Sequence, residues 1–403
     1  MISPIGNSVG EAWDNALHCR SGITRVDRFP VEDYRCQVGG EVRDFDVTTL
    51  IDRKDAGHLD VYAHYAVGAA CEAFADAGLD REGAFEPERS GVMVSSGIGG
   101  VDTTCHQMEN LLEKGPGRIS AFCIPMQLAN MASGFLSIKF NFRGPNFSLV
   151  SACASGLHSV GESAWIIRRG DADIMMAGGS ESGVIALSLA AFGNMRALTS
   201  CNDDPAGASR PFDLRRDGFV PAEGAAVLIL EELEHARARG VHILGEIAGY
   251  GASGDAFHMT APRPDGSGAA QAMAMALRHA GLPPEAVDYV NAHGTSTPMN
   301  DAIETTAIKR ALGEHAMHVP VSSTKGVTGH MLGAAGAFES VMCICALRDQ
   351  IIPPTANYRE PDPLCDLDYV PNVARKAKLD VVMNLSLGFG GHNAAVLFRR
   401  FNP

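Results

Sequence analysis

One cysteine stands where an apolar run gives way to small residues: Ser151-Ala152-Cys153-Ala154-Ser155-Gly156. The run before it, residues 147–150, reads as a strand, and the residues after it open a helix. A thiol at a helix N-terminus meets unpaired N–H groups and the positive end of the dipole, which favour the thiolate. The same N–H groups could hold an oxyanion on a bound thioester. A small residue buried at a tight turn would use the same sequence, since free cysteine is often buried.

Three further segments carry reactive side chains. In Asn291-Ala292-His293-Gly294-Thr295-Ser296-Thr297, a strand delivers a histidine into a loop of Gly and hydroxyl residues. Loops at strand ends are where catalytic side chains usually sit, although a structural histidine fits there equally well. In Lys325-Gly326-Val327-Thr328-Gly329-His330, a lysine and a histidine share a Gly-rich stretch that leads into an apolar helix. It lacks the GxxxxGK[ST] order, so a nucleotide-binding loop is a weak reading. In Gly388-Phe389-Gly390-Gly391-His392-Asn393, a flexible turn with one aromatic separates two strands, as a plain hairpin would.

Taken together, these segments resemble the elongating β-ketoacyl-[acyl carrier protein] synthases, nearest the synthase II type. The resemblance covers nearly the whole length. It includes Gly97-Ile98-Gly99-Gly100, Arg143-Gly144-Pro145, Ala177-Gly178-Gly179-Ser180-Glu181, Ser209-Arg210-Pro211-Phe212-Asp213 and Arg216-Asp217-Gly218-Phe219. By this resemblance Cys153 is the nucleophile that accepts the acyl chain. His293 and His330 are the pair that promotes decarboxylation of the malonyl unit. Lys325 supports the second histidine, with Glu304 as its acidic partner. The backbone N–H groups of Cys153 and Phe389 form the oxyanion hole, and the Phe389 side chain gates entry. Thr295 and Thr297 bond the phosphopantetheine arm, and Ile98 walls the acyl tunnel. Arg53, Lys54, Arg118 and Arg196 are nominated to dock the carrier protein.

The chemistry explains the residue types. Thioester exchange needs a thiolate-like nucleophile. Decarboxylation generates its own carbanion, so the second step needs donors to an enolate oxygen rather than a strong base.

The resemblance implies a thiolase-like α/β fold of two similar halves in a five-layer αβαβα arrangement. The halves are residues 1–240, with the cysteine, and 241–403, with both histidines. It implies a cytoplasmic homodimer with no organic cofactor or metal, acting on acyl and malonyl groups carried by the phosphopantetheine of acyl carrier protein. A polyketide-type ketosynthase shares the same residues and is the alternative. A degradative thiolase would use a second cysteine as base, and a non-catalytic partner subunit would lack Cys153. Three departures stand out. Family members usually place a Val-Val-Val-Thr-Gly strand before their Met-x-Ser-Pro segment, whereas this sequence opens at Met1-Ile2-Ser3-Pro4, so either an upstream start or a missing edge strand is expected. Leu385-Ser386 stands where Asn-Ser is common, which removes one polar contact near the turn. Gly57 and His58 follow Arg53-Lys54 where basic residues are common, which weakens carrier docking there.

The elements that must position these residues read as alternating strands and helices. Strands are expected at residues 91–95, 147–150, 174–177, 225–230, 243–248, 289–292, 381–385 and 394–398. Helices are expected at 60–77, 154–169, 268–280, 301–312 and 334–349. That alternation argues α/β with largely buried sheets. The 403 residues, 46% hydrophobic, are enough for a large core. The net charge of −14 with no basic block argues against nucleic-acid binding. Ten scattered cysteines without CxxC spacing read as reduced, mostly buried thiols, and no apolar run is long enough to span a membrane.

Overall fold

The computed structural model describes residues 1–402. Its apolar segments pair into two main sheets. In the first, β1 (Ser90–Ser95) runs parallel to β2 (Ile174–Glu181), and β3 (Gly224–Glu231) runs antiparallel to β2. The second sheet uses β4 (Glu246–Gly254), β5 (Tyr289–Asn291), β6 (Val321–Ser322), β7 (Val381–Gly388) and β8 (His392–Arg399). Its spatial order is β4-β8-β7-β5-β6. Every residue of β1 and β2 is buried, as strands covered on both faces must be.

Two isolated bridges reveal a duplication that has no counterpart in the residue sequence. Asn146 bridges Val92 in parallel, and Ile2 bridges Ala225 in antiparallel. Along the first half the extended segments are residue 2, β1, residue 146, β2 and β3; along the second they are β4 to β8. Both sets lie side by side in the order 3-2-4-5-1, with the same directions. After its third segment, each half makes the same local turn. Ala152 (φ 51°) opens the 3-10 turn 152–154 and Leu332 (φ 45°) opens the turn 332–334. Left-handed φ at a non-Gly residue is a strained conformation that only the surroundings can hold.

Those turns feed two central helices. Of the helices that cover the sheets, α1 is Val61–Asp76, α2 Ser155–Arg168, α3 Ser267–Ala280, α4 Pro298–Leu312 and α5 Ala335–Asp349. Helices α2 and α5 pack on each other between the two sheets. α5 is buried nearly all round, including Phe338, Met342 and Leu347, as a helix enclosed on every side must be. α1 covers the outer face of the first sheet, and α3, with α4 beside it, covers the second. The result is the expected five-layer αβαβα arrangement.

Two expected strands differ. Residues 147–150 form no regular ladder. Serine hydroxyls take the place of backbone partners: Ser95 Oγ accepts from Leu149 N at 2.9 Å, Ser133 Oγ accepts from Val94 N at 2.8 Å, and Ser148 Oγ donates to Val94 O at 3.1 Å. The strand expected at 243–248 begins at Glu246 and runs on to Gly254, because the small residues of its tail let α3 lie close against it. Five of the ten cysteines are buried and five are partly exposed, fewer buried than expected.

Candidate active site

The turn that precedes α2 puts the Cys153 side chain at the junction of the two halves. Here the turn after β7 lies directly on it. A Cβ on Gly388 would stand 2.5 Å from Ser151 O and 3.3 Å from Cys153 N, so only glycine lets the strands meet this closely. The backbone N–H groups of Phe389 and Cys153 both face the Cys153 sulfur. They belong to different halves, so the pair exists only in the folded chain.

The thiol itself departs from the sequence expectation. Burial pushes it up to about 12; the Lys325 charge and the two backbone N–H groups pull it down, while the Glu181 charge pushes it further up. In the resting site Cys153 is therefore a thiol at neutral pH. A helix N-terminus favours the thiolate, but desolvation of a group only 9% exposed outweighs it. The amides that face the sulfur then serve best when negative charge develops during reaction.

The two histidines enter from the second half. His293 follows β5, and His330 follows the short helix Lys325–Thr328. His330 is pinned by its backbone, donating to Val220 O at 2.7 Å and accepting from Ala222 N at 2.9 Å. The two imidazoles meet edge to face with centroids 5.1 Å apart. Burial, then the Lys325 charge, hold both well below the usual histidine range, and His330 adds to the effect on His293. Both are neutral at pH 7. Nδ1 of each is buried without a partner, so each ring has unused hydrogen-bonding capacity.

Glu304 holds the first of these loops. Its carboxylate accepts from His293 N at 2.6 Å and from Gly294 N at 2.8 Å. Burial raises it to about 7, against those two N–H bonds and with Asp301 adding to the rise. Its expected pairing with Lys325 is corrected by the structure. The Lys325 ammonium forms its ion pair with Glu339, one helical turn inside α5. The physical reason is reach: Glu304 spends both oxygens on the His293–Gly294 backbone, whereas Glu339 is the acid that α5 presents to Lys325. Burial raises Glu339, and Lys325 opposes that rise. A lone glutamate in an otherwise apolar helix was the available signal, because a buried charge must be paired.

The remaining predicted residues fall around this centre. Ile98 packs into the same apolar cluster as Cys153, with Phe192, Phe219 and Leu332. Phe389 is partly exposed, its ring centroid 6.4 Å from that of Phe192. Thr295 and Thr297 join hydroxyls at 3.1 Å, and Thr297 also caps α4 by accepting from Asn300 N. Arg53, Lys54, Arg118 and Arg196 are all exposed. Ser386 Oγ is buried without a partner, and Leu385 packs on the opposite face of its strand.

Comparison with known proteins assigns this arrangement. Residues 1–236 match the profile of the beta-ketoacyl synthase N-terminal domain, and residues 244–359 match that of the beta-ketoacyl synthase C-terminal domain. The chain belongs to the beta-ketoacyl synthase family. It is 48% identical over 400 residues to the 3-oxoacyl-[acyl-carrier-protein] synthase 2 of Synechocystis sp., covering 99% of this chain and 96% of that one. The synthase 2 of Coxiella burnetii is equally similar, with the same coverage. Among solved structures, a beta-ketoacyl synthase from Burkholderia phymatum superposes with a TM-score of 0.92 at 34% identity, covering 100% of this chain and 97% of that chain. A type II polyketide ketosynthase in complex with its acyl-carrier protein superposes with a TM-score of 0.91 at 35% identity, with the same coverage. This beta-ketoacyl synthase therefore has the thiolase-like fold of a condensing enzyme.

Proposed function

We propose that this beta-ketoacyl synthase is a 3-oxoacyl-[acyl carrier protein] synthase of the synthase II type, which elongates fatty acyl chains by decarboxylative condensation. In the first half-reaction the Cys153 sulfur attacks the acyl thioester, its proton passes to the departing carrier sulfur, and the carrier's thiol leaves. In the second, the malonyl carbon–carboxylate bond breaks, carbon dioxide departs, and its electron pair forms an enolate. N–H groups of His293 and His330 stabilise the enolate oxygen. The enolate carbon then attacks the acyl-enzyme carbonyl, the amides of Cys153 and Phe389 hold the resulting oxyanion, and the Cys153 sulfur is expelled as a thiolate that takes a proton from solvent. Lys325 and Glu304 position the histidines, Thr295 and Thr297 bind the pantetheine arm, and Ile98 walls the acyl chain. The observation that carries this reading is that the second half's two imidazoles, with centroids 5.1 Å apart, meet through His330 the first half's Phe219, which shares the apolar cluster of Cys153. The polyketide alternative is supported by the ketosynthase neighbours, while relatives 48% identical over nearly the full length favour fatty acid elongation.

The partner is an acyl carrier protein bearing acyl and malonyl groups, and the compartment is the cytoplasm. Free thiols agree with a reducing compartment, and among the described residues no helix is long and apolar enough to cross a membrane. With a net charge of −14, the surface needs local cations to receive an acidic carrier. Arg53, Lys54, Arg118 and Arg196 supply them. The test compares carrier-bound acyl and malonyl substrates with small pantetheine thioesters. Wild type converts both to the 3-oxo product. Arg118→Glu or Arg196→Glu raises KM for the carrier-bound substrates several-fold and leaves the small thioesters nearly unchanged, and added salt narrows that gap. Equal loss on both substrates refutes docking by that residue, and no 3-oxo product from wild type refutes the function.

The homodimer is supported by an open apolar edge. On the β1 side of the first sheet, no strand lies beyond residues 146–150 among the described residues. Phe147 and Val150 stand 44% and 59% exposed along it. A second copy of the chain would cover this edge. Sedimentation should give a dimer for wild type, and Val150→Glu should shift it towards monomer; a monomeric wild type removes the proposal.

A further inference from the structure

Glu181 ends β2 with a fully buried carboxylate whose hydrogen-bond partners are all neutral. One oxygen accepts from Ser96 Oγ at 2.5 Å and from Ile98 N at 3.2 Å. The other accepts from Gly97 N at 2.7 Å and from Gly333 N at 2.9 Å. Ser96 Oγ in turn accepts from Gly99 N at 2.8 Å, so the loop is organised around this one carboxylate. Such a group is expensive to bury and is held only because each oxygen has two donors.

Its partners lie on both halves of the molecule. Residues 96–98 follow β1 in the first half, and Gly333 sits in the turn that starts α5 in the second. The approach leaves no room for a side chain: a Cβ on Gly333 would stand 2.3 Å from Gly97 N and 2.6 Å from the Glu181 carboxylate. Gly97 also lies against the backbone of Ala152, the strained residue that precedes Cys153. The loop thus connects Glu181 to the cysteine turn on one side and to Ile98 on the other.

Ile98 matters because of where it packs. It shares an apolar cluster with Cys153, Phe192, Phe219 and Leu332. A chain joined to the Cys153 sulfur is solvated best where it runs among these apolar side chains. The backbone position of Ile98 therefore sets how much room the chain has, and Glu181 fixes that position through the Ile98 N–H.

We propose that Glu181 is a positioning residue that sets acyl-chain selectivity, by holding the loop 96–98 and its Ile98 side chain against Cys153 across the junction of the two halves. The inference rests on Cys153 carrying the acyl chain. In Glu181→Gln the amide NH2 cannot accept, so one of the two pairs of donors loses its acceptor. If the NH2 faces Ser96 and Ile98, the serine hydroxyl can turn to accept, but the Ile98 N–H cannot. The wall then loosens while the histidine pair is left intact.

The experiment measures kcat/KM for a short and a long acyl-carrier substrate, with malonyl decarboxylation followed separately. Glu181→Gln should change the long-to-short ratio by about tenfold, comparable to the loss of one hydrogen bond to a charged group. Malonyl decarboxylation should hold within about twofold, far from the loss expected on removing an enolate donor. The decisive comparison places Glu181→Gln in an Ile98→Ala background. If Glu181 acts through Ile98, the ratio should not move further. If the Gln variant fails to fold, Ser96→Ala replaces it in the same cycle, since it removes one bond from the carboxylate and keeps the charge. An unchanged ratio, an equal loss on both chains, or a full additional shift in the Ile98→Ala background overturns the proposal. Mass analysis of the wild-type acyl-enzyme keeps the two claims separate: no acyl group on Cys153 refutes the nucleophile, whereas an acylated Cys153 with an unmoved ratio refutes only the role of Glu181.

Discussion

Cys153→Ala should stop condensation, with a fall of about 10⁴-fold or more, because covalent nucleophiles act as a unit with their site and no neighbour substitutes for them. Nine other cysteines are present, and several are more exposed. Exposure does not make them competent, because acyl transfer needs the junction around Cys153, where the turn after β7 lies against the cysteine turn. Brief incubation with an acyl-carrier substrate followed by peptide mass mapping should therefore find the acyl group on Cys153 alone. A general thiol reagent is a poorer probe, since burial raises this thiol to about 12 and half-buried thiols such as Cys201 are easier to reach. The alanine variant should still decarboxylate malonyl thioesters, because His293 and His330 are untouched. An acyl group on another cysteine, or an active Cys153→Ala enzyme, contradicts the assignment.

The histidine pair gives the second large effect, and it divides the half-reactions. His293→Ala and His330→Ala should each slow malonyl decarboxylation by ~100- to 1,000-fold, the usual cost of one donor to a developing oxyanion. Acyl transfer to Cys153 should suffer far less, because enolate charge appears only in the second half-reaction. The pH dependence follows from the direction of the shifts. Both imidazoles are held well below 6.5, so they stay neutral as pH falls through that value. The imidazoles themselves should therefore add no ionisation to wild-type decarboxylation near 6.5; a decline as pH falls through about 7 belongs to Glu304 and Glu339, which burial raises to about 7, and should move in Glu304→Gln or Glu339→Gln. Equal losses in both half-reactions would point to a general base for the thiol instead. A titration near 6.5 that stays in place in both Glu304→Gln and Glu339→Gln would mean that the buried neutral pair is not the working form.

Cys153, His293, His330 and Phe389 were legible in the residue sequence because each sits in a compact motif at a strand end, where local order and chemistry coincide. Most helix and strand positions were legible for a similar local reason, since apolar periodicity tracks burial. The strand expected at 147–150 was not, because whether an extended segment forms a ladder depends on what lies beside it, and here Ser95, Ser133 and Ser148 hydroxyls do. Glu304 was expected to partner Lys325 but instead holds the His293–Gly294 backbone, and Glu339, the acid that pairs with Lys325, was missed. Both errors concern contacts between segments far apart in the chain.

The sequence by itself determined the chemistry available: a thiol after an apolar strand, two histidines in Gly-rich loops, and an α/β chain long enough to hold them together. These depend on residue type and short-range spacing. The tertiary structure alone decided the states of those groups and the partners that hold them. It made Cys153 a buried thiol rather than a thiolate, made both histidines neutral, and paired Lys325 with Glu339. It also laid two halves with different sequences into the same strand order, so that the turns before α2 and α5 face each other and Glu181 can bond Gly333. The reason is that protonation and pairing are set by desolvation and by charges within a few ångströms, and only folding brings residues 153, 181, 293, 325, 330 and 339 within that distance.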